Sequence, residues 1–218
     1  MIRILNIETA TKNCSVSLAV DGEVKVLKEY AGEGYAHAEK LHVFIEEALR
    51  EAGLVYADIT AVAVSMGPGS YTGLRIGVSA AKGLCYALGI PLIAIDTLEL
   101  LARRIAVTDG VVVPLIDARR MEAYTAVFTP GFEKIREIQA EIITPESFSE
   151  YEKVHILGDG AAKCVGVLPE DKIVFHKDEV YPSAAQMGAL SYAKYKISDT
   201  VDVAYFEPFY LKDFIAGK

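Results

Sequence analysis

The 218-residue chain has no tryptophan, only three cysteines and only four histidines. Cys14, Cys85 and Cys164 are odd in number and far apart, and no CxxC pair occurs. Neither a disulfide framework nor a zinc knuckle is expected, and each cysteine reads as a small buried hydrophobe. The histidines offer no metal clamp. His37 and His42 stand five apart, roughly 140° around an ideal helix, so they cannot share a metal as an HExxH pair does. Both are expected to be solvated helix residues. His155 and His176 fall in or beside strands, with no second ligand in sequence reach. No GxSxG elbow marks a hydrolase serine.

Basic residues are also in short supply, with 22 Lys and Arg against 30 Asp and Glu and a formal charge of −8. A protein that grips nucleic acid by itself shows a basic face. Here the only basic doublets are Arg103-Arg104 and Arg119-Arg120, so autonomous nucleic-acid binding is not expected. A small basic patch working inside a larger complex stays open. No apolar run approaches the roughly 18 residues of a membrane span. The start, MIRILNIETA, lacks the long apolar core and small-residue cleavage site of a signal peptide, and reads as the first strand of a cytoplasmic protein.

What is present is a chain 52% hydrophobic, enough for one large core or two small ones. RILNIE, CSVSLAV and EVKVLKEY read as three antiparallel strands, the last two joined at Asp21-Gly22. Leu41, Phe44, Ile45, Ala48, Leu49 and Ala52 form one apolar helix face, ended by Gly53. A central parallel strand is expected over DITAVAVSM, then the loop SMGPGSYTGLRIG, then a helix capped by Ser70 or Thr72 and stopped by Gly89. IPLIAI is a further buried strand, and DTLELLARRI a helix with Arg103 and Arg104 in its last turn.

Near Val107 the pattern restarts. An offset of 109 residues pairs Ile7-Glu8 with Ile116-Asp117, Ser15–Ala19 with Tyr124–Phe128, and Gly22 with Gly131, without a gap. An internal duplication is expected, with lobes over 1–106 and 107–218. The second lobe is the sparser. It holds a short helix over TPESFSE, strands over KVHIL and DKIVFHK, and a helix capped by Ser183. The C-terminal segment AYFEPFYLKD is expected to be extended and to pack back on the first lobe. Two units of β-β-β-α-β-α-β-α order make the α/β ribonuclease-H-like fold, shared by actin, Hsp70 and sugar kinases (the ASKHA group), with the second lobe reduced. That fold says nothing certain about chemistry.

The glycine loop is the first candidate for function. It has no lysine after Gly73, so it is not a GxxxxGK[ST] loop, and its Gly67-x-Gly69-x-x-x-Gly73 spacing is one residue too long for GxGxxG. Two readings stay open. Gly67, Gly69 and Ser70 hold an anion at bare N–H groups, or they only turn the chain sharply. Glu8 and Asp117 end the first strand of each lobe, where ATPases of this fold place the carboxylates that organise metal and water. Gly73, Gly77, Ala81 and Cys85 line one side of the next helix, with Ile76, Ala80, Leu84 and Leu88 as a second apolar row. Such a helix is buried on more than one face, against its own chain or against a partner.

Four segments, LNIETATKNCSVSL, GPGSYTGLRIG, IDARRMEAY and EPFYLK, resemble the TsaB (YeaZ) family over essentially the whole chain. The resemblance implies a bacterial paralogue of TsaD, the catalytic subunit that transfers a threonylcarbamoyl group to tRNA adenosine next to the anticodon. TsaD holds a metal with HxxxH after the strand matching IPLIAI. Here Thr97 and Leu101 stand at the histidine positions, and only Glu99 keeps the motif's acidic character. The resemblance therefore implies no catalytic residues and no metal in this chain, with ATP or ADP and metal held by partner subunits. It implies pairing with a TsaD-like subunit through the first-lobe helices, at Leu41, Ile45, Leu49, Gly73, Gly77, Ala81 and Cys85. It further implies recruitment of the ATPase TsaE, only indirect contact with tRNA, no membrane, and a homodimer when the protein is alone. The competing expectation is an ATP-dependent actin-fold enzyme acting alone. It would use Glu8, Asp117 and the glycine loop of Gly67, Gly69 and Ser70.

Overall fold

The computed structural model of the chain describes residues 1–32 and 36–211. β1 (Arg3–Glu8), β2 (Cys14–Val20) and β3 (Glu23–Tyr30) form an antiparallel meander. Asp21 and Gly22 both take left-handed backbone, φ 49° and 90°, which matches the twist of a two-residue hairpin. α1 (His37–Glu51) turns Leu41, Ile45, Ala48 and Leu49 inward, and the chain leaves it through a left-handed Gly53. β4 (Ala61–Gly67) lies parallel beside β1, and β5 (Leu92–Asp96) parallel beside β4. Their unbroken apolar runs follow from burial on both faces. α2 (Tyr71–Leu88) joins them. Ser70 Oγ accepts the Gly73 N–H at its start, and left-handed Gly89 (φ 65°) stops it. The first sheet has the order β3-β2-β1-β4-β5.

α3 (Thr97–Ala102) is shorter than the sequence pattern suggested. Arg103 and Arg104 lie just past it and are tied down, Arg103 to Glu99 at 2.8 Å and Arg104 to Glu179 at 2.5 Å. The second sheet repeats the plan with β6 (Val111–Asp117), β7 (Glu122–Phe128), β8 (Lys134–Ile142), β9 (Val154–Leu157) and β10 (Ile173–Phe175). Its order, β8-β7-β6-β9-β10, is that of the first sheet strand for strand. The 109-residue offset holds through three strands: Ile116-Asp117 closes β6 as Ile7-Glu8 closes β1. After that the second unit sheds its helices. Pro145–Glu150 is a run of turns, not the short helix expected, and only Phe148 of it is fully buried. So short a segment with one core anchor does not sustain a helix. Between β9 and β10 stands a single 3-10 turn, Ala162–Cys164. The fold is the duplicated ribonuclease-H-like α/β architecture with a reduced second lobe.

The chain divides into two compact units, Met1–Thr97 with Ser183–Tyr210, and Leu98–Pro182. The first division falls ahead of α3's body rather than near residue 107. Leu98, Leu101, Ala102 and Ile105 are buried with Val112, Ile116, Ala126, Phe128 and Leu157, which places them in the second core. Ser183–Tyr210 belongs to the first unit for equally local reasons. Ser183 Oγ donates to the Glu29 carboxylate at 2.6 Å and caps the turn into α4 (Met187–Lys196) by accepting the Ala185 N–H. Gly188 lets α4 approach the β2–β3 turn closely: a Cβ there would meet the Gly22 carbonyl and Val24 at 2.8 Å. Beyond α4 the chain is irregular, and the segment expected to be extended begins in a turn over residues 203–205, where the Ala204 and Tyr205 N–H groups donate to Asp202 Oδ1 and the Phe206 N–H to the Asp202 carbonyl. Val201 bridges Leu92, Lys82 Nζ donates to the Ala204 and Phe206 carbonyls, and the Phe209 N–H donates to the Met66 carbonyl at 2.7 Å. Lys212 and Asp213, at the end of that segment, lie outside the described residues. Among the described residues no helix is long and apolar enough to cross a membrane.

Candidate functional site

The glycine loop between β4 and α2 is a packed turn. The Gly67 N–H donates to Thr97 Oγ1 at 3.0 Å, the Ser70 N–H to the Ala10 carbonyl at 2.6 Å, and the Gly73 N–H to Ser70 Oγ. Those donors, which an anion would need, are used by the chain itself. Glycine is required here by crowding and by backbone. Gly67 has φ 114°, and a Cβ on it would meet the Phe209 carbonyl at 2.7 Å. One on Gly69 would drive into the Ala10 carbonyl. The expected anion contacts at Gly67 and Ser70 are thus occupied by Thr97 and Ala10.

Glu8 closes β1 beneath this loop and is completely buried. Its Oε1 accepts the Ala10 N–H at 2.5 Å, while Oε2 makes no close hydrogen bond among the described residues. Burial pushes its carboxyl up to about 7, against the opposing pull of the Ala10 N–H and the nearby Ser65 hydroxyl. The raised value has a consequence for stability. Between about pH 4.5 and 7 the native state keeps a proton that the unfolded chain has lost, so stability falls as pH rises through that window. Above pH 7 the deficit approaches roughly 3 kcal/mol. Glu8→Gln removes the titration. Its urea midpoint should match the parent near pH 4.5 and exceed it at pH 8, and parallel curves for the two proteins would refute a buried, protonated Glu8.

Asp117 holds the equivalent place at the end of β6 but has a different environment. It is exposed, Lys163 Nζ pairs with its carboxylate, and Oδ1 also accepts the Arg119 N–H at 3.1 Å. Its backbone N–H donates to Asp159 at 2.8 Å. The two carboxylates fall in different units, Glu8 sealed and Asp117 in an ion pair at a hairpin.

Histidine is where the sequence reading fails most. His37 is buried, its Nε2 within 2.7 Å of the Thr11 carbonyl, and burial holds its pKa below the usual imidazole range. It packs against Gly73. His155 and His176, unrelated in sequence, meet with Nδ1 and Nε2 3.0 Å apart. Among the described residues no group of three His, Cys, Asp or Glu side chains is placed to hold a metal. Thr97 spends its hydroxyl on Gly67, and Leu101 is buried in the apolar core.

The helix face expected to meet a partner is turned the other way. Leu41, Ile45, Leu49, Gly73, Gly77, Ala81 and Cys85 are all buried within the first unit. Leu41, Ile45, Leu49, Ala81 and Cys85 join the core around β1, β2 and β4. Gly73 and Gly77 lie on Thr9, whose Oγ1 donates to the Gly73 carbonyl at 2.8 Å. The small residues exist to bring α2 down onto the chain just past β1. The second apolar row of α2 is only partly buried, with Ile76, Ala80 and Leu84 packed against the edge of that core. Ile76, Ser79, Ala80, Gly83 and Leu84 line a shallow apolar groove with His42 of α1. On the same two helices Val43 and Tyr86 are 50% and 86% exposed. A sequence signal for this groove existed in the four-residue spacing of Ile76, Ala80 and Leu84.

Two sheets of identical strand order, joined in one chain, define a protein of the actin-like, duplicated ribonuclease-H-like class. The model of the family TsaD: tRNA N6-adenosine threonylcarbamoyltransferase matches residues 33–165. The tRNA threonylcarbamoyladenosine biosynthesis protein TsaB of Escherichia coli strain K12 is 31% identical over 100% of this chain and 97% of its own. The protein of the same description from Haemophilus influenzae is 29% identical over 100% and 96%. Among solved structures, YeaZ from Pseudomonas aeruginosa superposes with a TM-score of 0.80 at 25% identity, over 97% of this chain and 100% of that one. The chain belongs to the TsaB (YeaZ) family.

Proposed function

We propose that this chain is a non-catalytic subunit for making threonylcarbamoyladenosine in tRNA. In this reading it pairs with a TsaD-like catalytic subunit. With a TsaE-like ATPase it then supports threonylcarbamoyl transfer to the adenosine 3′ of the anticodon. The observation that carries the reading is the groove of Ile76, Ala80, Gly83 and Leu84, an apolar helix surface left open in a member of the TsaB family. The polar sites support an accessory role: the loop donors at Gly67 and Ser70 are satisfied internally, Glu8 is sealed, and Asp117 is engaged by Lys163. ATP or ADP and metal belong to the partner subunits, tRNA is reached through the complex, and the setting is the cytoplasm. In isolation the same groove pairs two copies of the chain.

Reconstitution tests the reading. Threonylcarbamoyl transfer to tRNA by the cognate TsaD-like and TsaE-like proteins with ATP should require this chain, and the chain should co-elute with the TsaD-like subunit in gel filtration. Transfer at the same rate without it, or separate elution at micromolar concentrations, overturns the proposal. Turnover of ATP by the purified chain alone, lost in Asp117→Ala, would instead favour a stand-alone enzyme.

A further inference from the structure

Of the two basic doublets in this acidic chain, one is neutralised and one is not. Arg103 and Arg104 are held by Glu99 and Glu179. Arg119 and Arg120 form the tip of the β6–β7 hairpin, and both are exposed. Both hold left-handed backbone, φ 72° and 51°, a region that glycine or asparagine enters more easily than arginine. The hairpin is closed beneath them. The Ala118 N–H donates to the Glu122 carbonyl and the Glu122 N–H to the Arg119 carbonyl, each at 3.1 Å.

Asp117, two residues before Arg119, is engaged by other groups. It is taken by Lys163, which also donates to the Glu122 carbonyl at 2.5 Å, and by the backbone N–H of Arg119. Asp159 directs an oxygen at the Asp117 N–H. Neither guanidinium makes a hydrogen bond, ion pair or ring contact among the described residues. Two always-charged, planar forks therefore project from a turn whose backbone is fixed, on a protein of net charge −8.

We propose that the Arg119-Arg120 tip is a contact for the phosphate backbone of RNA, each guanidinium binding phosphate oxygens without reading sequence. The choice of RNA as the polyanion rests on the function proposed above. The tip adds phosphate contacts to an RNA that the assembled complex holds, because the acidic chain alone lacks the charge to retain one.

The test titrates labelled tRNA against the assembled complex at several salt concentrations. It compares the parent with Arg119→Ala/Arg120→Ala, with Arg119→Lys/Arg120→Lys, and with Lys177→Ala/Lys196→Ala, a pair of exposed lysines elsewhere that removes the same charge. The alanine pair should weaken binding about 10-fold and lower the slope of log affinity against log salt by roughly 1 to 2. The lysine pair should restore most of the slope, and the distant pair should leave it near the parental value. Unchanged affinity and slope for the alanine pair, in a complex that still modifies tRNA, overturns the tip and leaves the function standing. Loss of subunit assembly, with normal RNA affinity in whatever assembles, shows instead that the tip meets a protein. A parental complex without tRNA affinity overturns both.

Discussion

Gly73→Ala should cost the protein about 3 kcal/mol of stability or more, while the same change ten residues on, Gly83→Ala, should add up to roughly 1 kcal/mol. Both glycines lie in α2 and both are poor helix formers, so propensity alone predicts a gain at each. The surroundings separate them. A Cβ on Gly73 would enter the Thr9 carbonyl and press the His37 ring at 3.2 Å, whereas a Cβ on Gly83 meets nothing within 4 Å. Thr9 cannot retreat, because it directly follows β1, whose register with β2 and β4 is fixed through Glu8 and Ile7. The helix must lift instead, which parts Val78, Ala81 and Cys85 from the core beneath. Gly77→Ala is the intermediate case. Its obstacle is Thr9 Oγ1, a side-chain atom that can rotate at the loss of its bond to the Gly73 carbonyl, though Thr9 Cβ still stands 3.3 Å away. Urea midpoints of the three variants give the order directly. A Gly73→Ala protein as stable as the parent would show that α2 does not rest on Thr9.

The same contacts explain what could and could not be read from the residues alone. The strands were legible because alternation, Asp21-Gly22 and the repeat of Ile7-Glu8 at Ile116-Asp117 are local in the chain or at a constant offset. Helix ends were legible because Ser70, Gly53 and Gly89 act on their own neighbours. The direction in which α2 faces was not. It carries a glycine, alanine and cysteine row beside an Ile76, Ala80 and Leu84 row, and either satisfies an apolar period. The choice is made by Thr9, 64 residues before Gly73, which offers a carbonyl and a hydroxyl where no Cβ fits. The burial of His37 is hidden for the same reason: a place on an amphipathic helix implies water, but its ring packs against Gly73 and reaches Thr11. The glycine loop resembled an anion cradle because its internal partners, Ala10, Thr97 and Phe209, are remote in sequence. The return of Ser183 to Glu29 joins residues 154 apart, and no local pattern announces it.

Ala80→Glu is expected to leave the first unit folded and to abolish its association with the TsaD-like subunit. Ala80 is half-buried and lines the open groove, so a longer side chain has solvent to enter in the free protein. Because Ala80 also touches the edge of the core, the cost to the free protein is about 1 kcal/mol, which leaves it folded. In a complex the same carboxylate would be enclosed by apolar groups and left without a partner, a penalty of several kcal/mol. A loss of 3 kcal/mol corresponds to a factor of roughly 100 in affinity, enough to separate the proteins on a gel-filtration column at micromolar concentration. The comparison that gives the result meaning is Glu137→Lys, whose side chain is 85% exposed on β8 and outside the groove, and which should co-elute as the parent does. Gly73→Ala is unsuitable for this purpose, because it acts through the fold of the free subunit. If Ala80→Glu is folded by circular dichroism and still co-elutes, the groove of Ile76, Ala80, Gly83 and Leu84 is not the docking face. If it is folded and separates, while tRNA modification falls with it, then α2 divides its two apolar rows between two tasks. The glycine row packs on Thr9 within the chain, and the isoleucine and leucine row holds the partner.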